Sequence, residues 1–352
     1  GDVILSTYID ALGSGRVATV NSSADSVWLS YLIFMNGDAA NGGGIWSQAG
    51  DLIVYDSWVY TNTADYGGGI YVDGGVTKLR ESIVTNNLAH NDGGGAYIDS
   101  PQEVEISRSM FYSNEAASGS GGGFYCASGS DVHATANDVA SNRAGNHGGG
   151  IHYAGAELTI NNSLINGNEA VSGSGGGIYL ANSNVPQFVN VALVYNTAQV
   201  DGGGLYRGGS GDLDVKHASI AYNTATTGSG GGIYNATGSM SVNASIIAFN
   251  DSNAGGSGIH GVTTVNVTYS LRWDNDYSGT SAGAGNIVAN PNFRLFWEPM
   301  LYHTSPAIDA VPEDQSDIDF DKCNNVRPQI CDKDMGYQEY VVGRRFMRWS
   351  GP

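Results

Sequence analysis

The stretch GGGIYLANSNVPQFVNVALVYNTAQVDGGGLY (175–206) opens and closes on a glycine triplet followed by an apolar residue and a tyrosine. Each glycine in regular structure costs on the order of 0.5–1 kcal/mol relative to alanine, so a triplet that returns needs a reason that returns with it. It begins at 42, 67, 93, 121, 148, 175, 202 and 230, and a worn copy, GSG, stands at 256–258. The mean step is about 27 residues, a period that belongs to solenoids and propellers.

A second column keeps phase with the first: Asn36, Asn62, Asn87, Asn114, Asn142, Asn168, Asn196, Asn223 and Asn250. Triplet to Asn is 20 or 21 residues each time, whereas Asn to the next triplet varies from 5 to 7. Length variation is thus confined to one corner. An apolar residue precedes each Asn by three positions (Ile33, Val59, Val84, Phe111 and so on), and an alanine usually follows by two, as at Ala170 and Ala198.

Between these marks apolar and polar residues alternate, as in ELTINNSLINGN (157–168), which is strand period. Leucine is too scarce for leucine-rich repeats, and 27 residues are too few for a four-stranded propeller blade. The spacing therefore predicts an all-β fold, a right-handed parallel β-helix of about ten coils over residues 1–269. A capping segment at 270–340 and a basic, aromatic tail at 341–352 are expected to follow. Equivalent residues of successive coils would lie about 4.8 Å apart. Glycine then allows positive φ and close backbone approach at one corner, and the stacked asparagines form an amide ladder.

Of 352 residues, 34 are acidic and 15 basic, a net charge of −19. That charge disfavours nucleic acid or an anionic membrane as partner, and no apolar run is long enough to span a bilayer. A Lys-poor, Asn/Ser/Thr/Gly-rich chain opening on Gly reads as a secreted chain with its leader removed. Cys323 and Cys331 bracket a short loop that could close as a disulfide, leaving Cys126 over.

GGGIY followed some 20 residues later by apolar-x-x-Asn resembles the paired GGA(I/L/V) and FxxN repeats of the polymorphic outer membrane proteins and related bacterial secreted β-helix proteins. SPAIDA (305–310) and DMGYQE (334–339) resemble the closing segment of those proteins. The resemblance implies a surface or secreted adhesive β-helix with no catalytic residues to transfer. Phe fills the FxxN position only at Phe111, and the translocator barrel of the membrane proteins is not seen in this sequence.

One position after each triplet's apolar residue comes Trp46, Tyr71, Tyr97, Tyr125, His152, Tyr179, Tyr206, Tyr234 or His260. Alternation sends these rings outward as an aromatic ladder. The ladder either stabilises the sheet by ring contacts or serves as a contact strip for another subunit or a glycan. Charges are sparse, but stacking brings Lys78, Glu105 and His133 into one outward column and Tyr55, Arg80 and Ser107 into another. Surface ion pairs are the plain reading. The functional one is a carbohydrate-processing groove, with Lys78 or Arg80 on a uronate carboxylate and Glu105 or His133 moving a proton. Glu115, Arg143 and Glu169 make a further alternating stack. GGSGDLDV (208–215) is a single out-of-register likeness to a calcium-binding repeat, and six Asn-x-Ser/Thr sequons match chance. No cofactor or metal is expected.

A solenoid must protect the strand edges at its two ends. The sequence suggests a cap at the C-terminal end and none near GDVILSTYID. Function is expected to be structural: a self-assembling extracellular filament or sheath subunit, joined end to end or by docking of a terminal segment. In the second case Arg344, Arg345 and Arg348 would meet carboxylates, with Phe346 and Trp349 as anchors. The alternatives are a monomeric adhesin or glycan-binding protein, and a polysaccharide lyase or hydrolase.

Overall fold

The computed structural model describes residues 7–21, 26–48, 50–99, 103–182, 186–294, 300–302, 304–308 and 310–311. Its strands are short and pair almost entirely in parallel, each with the strand one repeat away. Ile178–Leu180, for example, pairs with Ile151–Tyr153 below and Leu205–Arg207 above. About nine turns result, close to the ten expected. Each turn carries three faces. The first holds the strand after the triplet, the second holds strands such as Asp51–Tyr55 and Val76–Arg80, and the third holds Trp58–Tyr60 and Ile83–Thr85. A small nine-stranded stack follows the Asn corner, with Ala64, Ala89 and Ala116 pointing inward and buried.

The core is a set of vertical apolar columns. Along the third face it runs Phe34, Val59, Val84, Phe111, Val139, Ile165, Leu193, Ile220 and Ile247, all essentially inaccessible. Each such side chain contributes about 1.5–3 kcal/mol on leaving water.

The three glycines of one triplet do three different things. Gly175 turns the corner at φ +69°, in the left-handed region. A Cβ on Gly176 would lie 2.4 Å from the Thr197 carbonyl oxygen and 2.5 Å from that of Gly203, both backbone of the next coil. A Cβ on Gly177 would lie 2.6 Å from the Gly204 oxygen and 3.0 Å from the Asn196 amide. The first glycine supplies conformation, and the other two allow adjacent coils and the Asn ladder to close up.

The asparagine ladder runs from Asn62 through Asn87, Asn114, Asn142, Asn168, Asn196 and Asn223 to Asn250, each Nδ2 donating to the next Oδ1 at 2.9–3.0 Å. Asn36 is not a rung. Register pairs Met35 with Tyr60, so Asn36 stands opposite Thr61, and Gly37 donates its backbone N–H to Asn62 Oδ1 at 2.9 Å. Asn36 instead takes the left-handed residue before the rung (φ 57°), where Thr61, Asn86 and Ser113 follow it. At the other end Asn275 adds a rung, its Oδ1 accepting the Asn250 N–H at 2.7 Å.

A second polar column stands five residues earlier. The side chains of Ser57, Ser82, Ser109, Asn137 and Ser163 each accept a backbone N–H from the coil below, and Ser245, Ser270 and Asn286 resume the pattern. Both polar columns follow a corner turned mostly by non-glycine residues at positive φ, such as Asp56, Glu81 and Arg108 before the serines. The side-chain acceptors satisfy amides that these tight corners would otherwise strand.

Parallel pairing continues beyond residue 269, through Leu271–Trp273 to Ile287–Val288. The described residues after Val288 pack along the third face. Phe293 packs on Tyr222 and Phe249, and Leu301, Ala307 and Val311 pack with Ile246, Ala248 and Leu271. Cys323, Cys331, Arg344, Arg345, Phe346, Arg348 and Trp349 lie outside the described residues.

Candidate functional site

On the first face the aromatic column forms in register. Tyr71, Tyr97, Tyr125, His152, Tyr179, Tyr206, Tyr234 and His260 stack with centroids 4.5–5.3 Å apart and planes within 15°. Trp46 occupies the register position before Tyr71, and the Arg16 guanidinium sits 4.5 Å over its ring. The expected outward strip is only half exposed, and His152 is 7% exposed. His147 lies 4.3 Å from Tyr179, and Tyr66 meets Tyr97 edge-on. Ring faces are consumed by neighbouring rings, so what this column offers outward is ring edges and hydroxyls. Burial pushes the tyrosine hydroxyls up and holds them protonated.

The second face assembles the charged candidates. Lys78 pairs in register with Glu105, and Glu105 with His133; Arg80 lies between Tyr55 and Ser107. The bonds run diagonally across these columns. Arg80 grips Glu105 with two hydrogen bonds, Nε to Oε1 at 3.0 Å and Nη2 to Oε2 at 2.6 Å. Ser107 also donates to Glu105 at 3.3 Å. Arg108 pairs with Glu81 at 2.6 Å, and the Tyr55 hydroxyl donates to the same carboxylate at 3.2 Å. The Arg80 hydrogen bonds hold the Glu105 carboxyl below the usual range, which fits a fixed anion better than a proton carrier. Beside them, Trp28 exposes 67% of its surface two coils from Lys78 in the same column.

Arg143 bridges Glu115 at 2.7 Å and Glu169 at 3.4 Å, as the alternating stack predicts. Among the described residues no three His, Cys, Asp or Glu side chains are grouped to hold a metal ion. In GGSGDLDV the Gly211 carbonyl accepts from Arg207, a fully buried guanidinium that also donates to Asn235 Oδ1 at 3.0 Å and Ser239 O at 2.7 Å. Two of the sequon residues, Asn235 and Asn250, are buried.

Several features escaped the sequence reading. Arg207 stands where Leu180 and Cys126 stand in other coils, and nothing in the repeat marks it. A second ring stack, Tyr195, Tyr222 and Phe249 at 4.8 and 5.0 Å, lines the corner before the Asn rungs. Its signal was present, since each of these residues directly precedes a ladder asparagine.

The first coil is the other distinctive surface. Thr7–Asp10, Ala18–Val20 and Val27–Ser30 each pair with a strand on one side only among the described residues. Ile9, Val17, Ala18, Val27, Leu29 and Leu32 pack against the core while remaining only partly buried.

Comparison with known proteins adds one match, to the model of the right handed beta helix region, over residues 20–215. No curated protein and no solved structure matches the chain. The matched span covers more than half of the sequence and takes in most of the coils that carry the glycine triplets and the asparagine ladder, so the chain belongs to the right handed beta helix family.

Proposed function

We propose that this protein is a non-catalytic, extracellular structural β-helix that assembles with copies of itself end to end. The observation that carries the reading is the first coil, with three strand edges unpaired among the described residues and six core side chains only partly covered. Such an edge is a template for further pairing, and a head-to-tail contact between rods propagates without closing. The acidic, glycine- and asparagine-rich composition and the resemblance to polymorphic outer membrane protein repeats support a surface or secreted location. Negative-stain microscopy and light scattering of the chain over a concentration series test it. Rods that lengthen with concentration, and that revert to single rods in Val27→Lys/Leu29→Lys with unchanged circular dichroism, are expected. Single rods at every concentration would sink the proposal.

A glycan-binding role is the second reading, favoured by the exposed Trp28 in the same outward column as Lys78, two coils or about 10 Å of backbone spacing away. Calorimetry with neutral and acidic oligosaccharides addresses it: binding that Trp28→Ala and Lys78→Ala both abolish would support the site. The polysaccharide-active alternative requires release of reducing ends or unsaturated uronates that is lost in Glu105→Gln.

A further inference from the structure

Outward-facing residues of a solenoid strand are normally polar, because they meet water. The third face departs from this at both of its ends. In the later coils its outward positions include Ala192, Val194, Ala221, Ile246, Ala248 and Leu271, all buried, and Phe293, Leu301, Ala307 and Val311 pack with them. In the earlier coils the same two columns hold Ile33, Trp58, Ile83 and Met110, with Tyr60 and Tyr112 beside them. Ile33 is buried, Trp58, Tyr60, Ile83 and Met110 are half-buried, Thr85 stands between Tyr60 and Tyr112, and Tyr112 is 46% exposed; among the described residues those after Val288 pack on the later coils and not on this stretch. Met35 completes a largely apolar strip four coils long, separated by Asp138, Ala140, Leu164 and Asn166 from the part of the same face on which the described C-terminal residues pack.

The geometry points to residues 341–352 of the same chain, VVGRRFMRWSGP, as the occupant of this strip. Val311, the last described residue, is already seated on the third face among Ile246, Ala248 and Leu271. From there Met110 is five coils away and Trp58 seven, about 24–34 Å at the strand spacing. The 29 residues of 312–340 reach roughly 95 Å when extended, so length does not forbid the contact. Tethering gives the tail an effective concentration near millimolar over that span, which favours this chain's own tail over a partner in solution. The chemistry also matches. Residues 7–99 carry ten Asp and Glu against three Lys and Arg, with Asp56 at the corner bordering the strip, while the tail carries three arginines and no acid. Phe346, Met347 and Trp349 supply apolar groups for Trp58, Ile83 and Met110. Such a contact would extend the cover of the third face from the last coils to the second.

Replacing Trp349 by the photo-crosslinking residue p-benzoylphenylalanine and mapping the adducts by mass spectrometry tests the inference. Adducts of monomer mass joining position 349 to residues 32–35, 58–60, 83–85 or 110–112 are expected. Adducts of dimer mass, adducts confined to other faces, or no adducts would each overturn it. An independent measurement uses the synthetic peptide 341–352. It should bind the chain ending at residue 340 at least about tenfold more tightly than the intact chain, whose site is filled, and Trp58→Arg/Met110→Arg should remove that binding. Equal binding to both chains overturns the inference. Neither readout depends on end-to-end assembly, which the first coil governs separately.

Discussion

Asn168 Oδ1 accepts two hydrogen bonds from a single residue of the coil below, from Asn142 Nδ2 at 2.9 Å and from the Asn142 backbone N–H at 3.0 Å. Its own Nδ2 donates to Asn196 Oδ1 and to the Val139 carbonyl, both at 2.9 Å. Each rung therefore ties three consecutive coils, and every one of these atoms is buried. Asn168→Ala strands the Asn142 N–H and removes the side-chain donor to Val139. At about 1–3 kcal/mol for each unsatisfied buried group, a loss of roughly 3–5 kcal/mol is expected in urea unfolding. Asn36→Ala provides the contrast, because the Asn36 side chain bonds Asp10 and Thr61 at the exposed corner and not a ladder rung. Its loss should be near 1 kcal/mol, mostly backbone strain at positive φ. Equal losses would contradict the register that excludes Asn36 from the ladder.

Gly176 and Gly74 separate the two uses of glycine in this chain. At Gly176 an added methyl would lie 2.4–2.5 Å from carbonyl oxygens of the next coil, which cannot withdraw without parting the strands. Gly176→Ala is expected to abolish soluble expression or lower the melting temperature severely. At Gly74 the φ is +109° but nothing lies within 4 Å of a Cβ, so Gly74→Ala should cost only the conformational strain, about 1–3 kcal/mol. A thermal melt of both variants checks the order, and a well-folded Gly176→Ala would count against the close approach of coils.

The coil period, the aromatic column and seven successive asparagine bonds were legible because a solenoid converts sequence period directly into spatial contact. Tyr179 and Tyr206, one period apart, are 4.7 Å apart at their ring centroids. The serine column keeps the same phase, five residues before Asn62, Asn87, Asn114, Asn168 and Asn250, but Asn137, Val191 and Ala218 interrupt it, and serine is common enough in this chain to hide it. Asn36 was misplaced because its coil has a glycine at the rung and an asparagine one position earlier, and spacing alone cannot resolve a single residue in a repeat whose steps vary by two or three. In the charged cluster Glu81 and Arg108, one coil apart, pair within their column, whereas Glu105 takes its partner from the neighbouring one. Columns give residues directly above one another, whereas Arg80 is long enough to reach sideways to Glu105. Coverage of the third face left little trace: the small residues Ala192, Ala221 and Ala248 make room for an outer layer, and small residues are also ordinary strand residues.

Cys126 is wholly buried in the core between Ile98 and Tyr153, with its thiol unpaired and pushed by burial far above the ordinary thiol range. A thiol so placed is an inert core residue, because the thiolate is the reactive form. In a Cys323→Ser/Cys331→Ser background, iodoacetamide at pH 8 should leave the native protein unmodified and alkylate Cys126 once denaturant crosses the unfolding midpoint. Rapid alkylation under native conditions would show that this part of the core opens readily.

His152 interrupts a run of tyrosines, its ring 4.5 Å from Tyr125 and 5.0 Å from Tyr179, with Nδ1 buried and unbonded. Burial, with a smaller contribution from His147, lowers its pKa to about 3, against about 6.5 in an unfolded chain. Between those values the unfolded state binds a proton that the native state does not, so stability falls as pH falls. The dependence from this one group approaches about 1.4 kcal/mol per pH unit and ends near pH 3, where both states are charged. Above pH 6.5 it contributes no slope. His147, lowered in the same direction by burial, adds to the trend. His152→Tyr restores the ring of its neighbours and removes the proton, so stability measured by urea at pH 6.5, 5.5 and 4.5 should fall less steeply than in the native sequence, by roughly 1 kcal/mol per unit. Parallel pH profiles for the two proteins would mean that water reaches this imidazole and that the stack is open at His152.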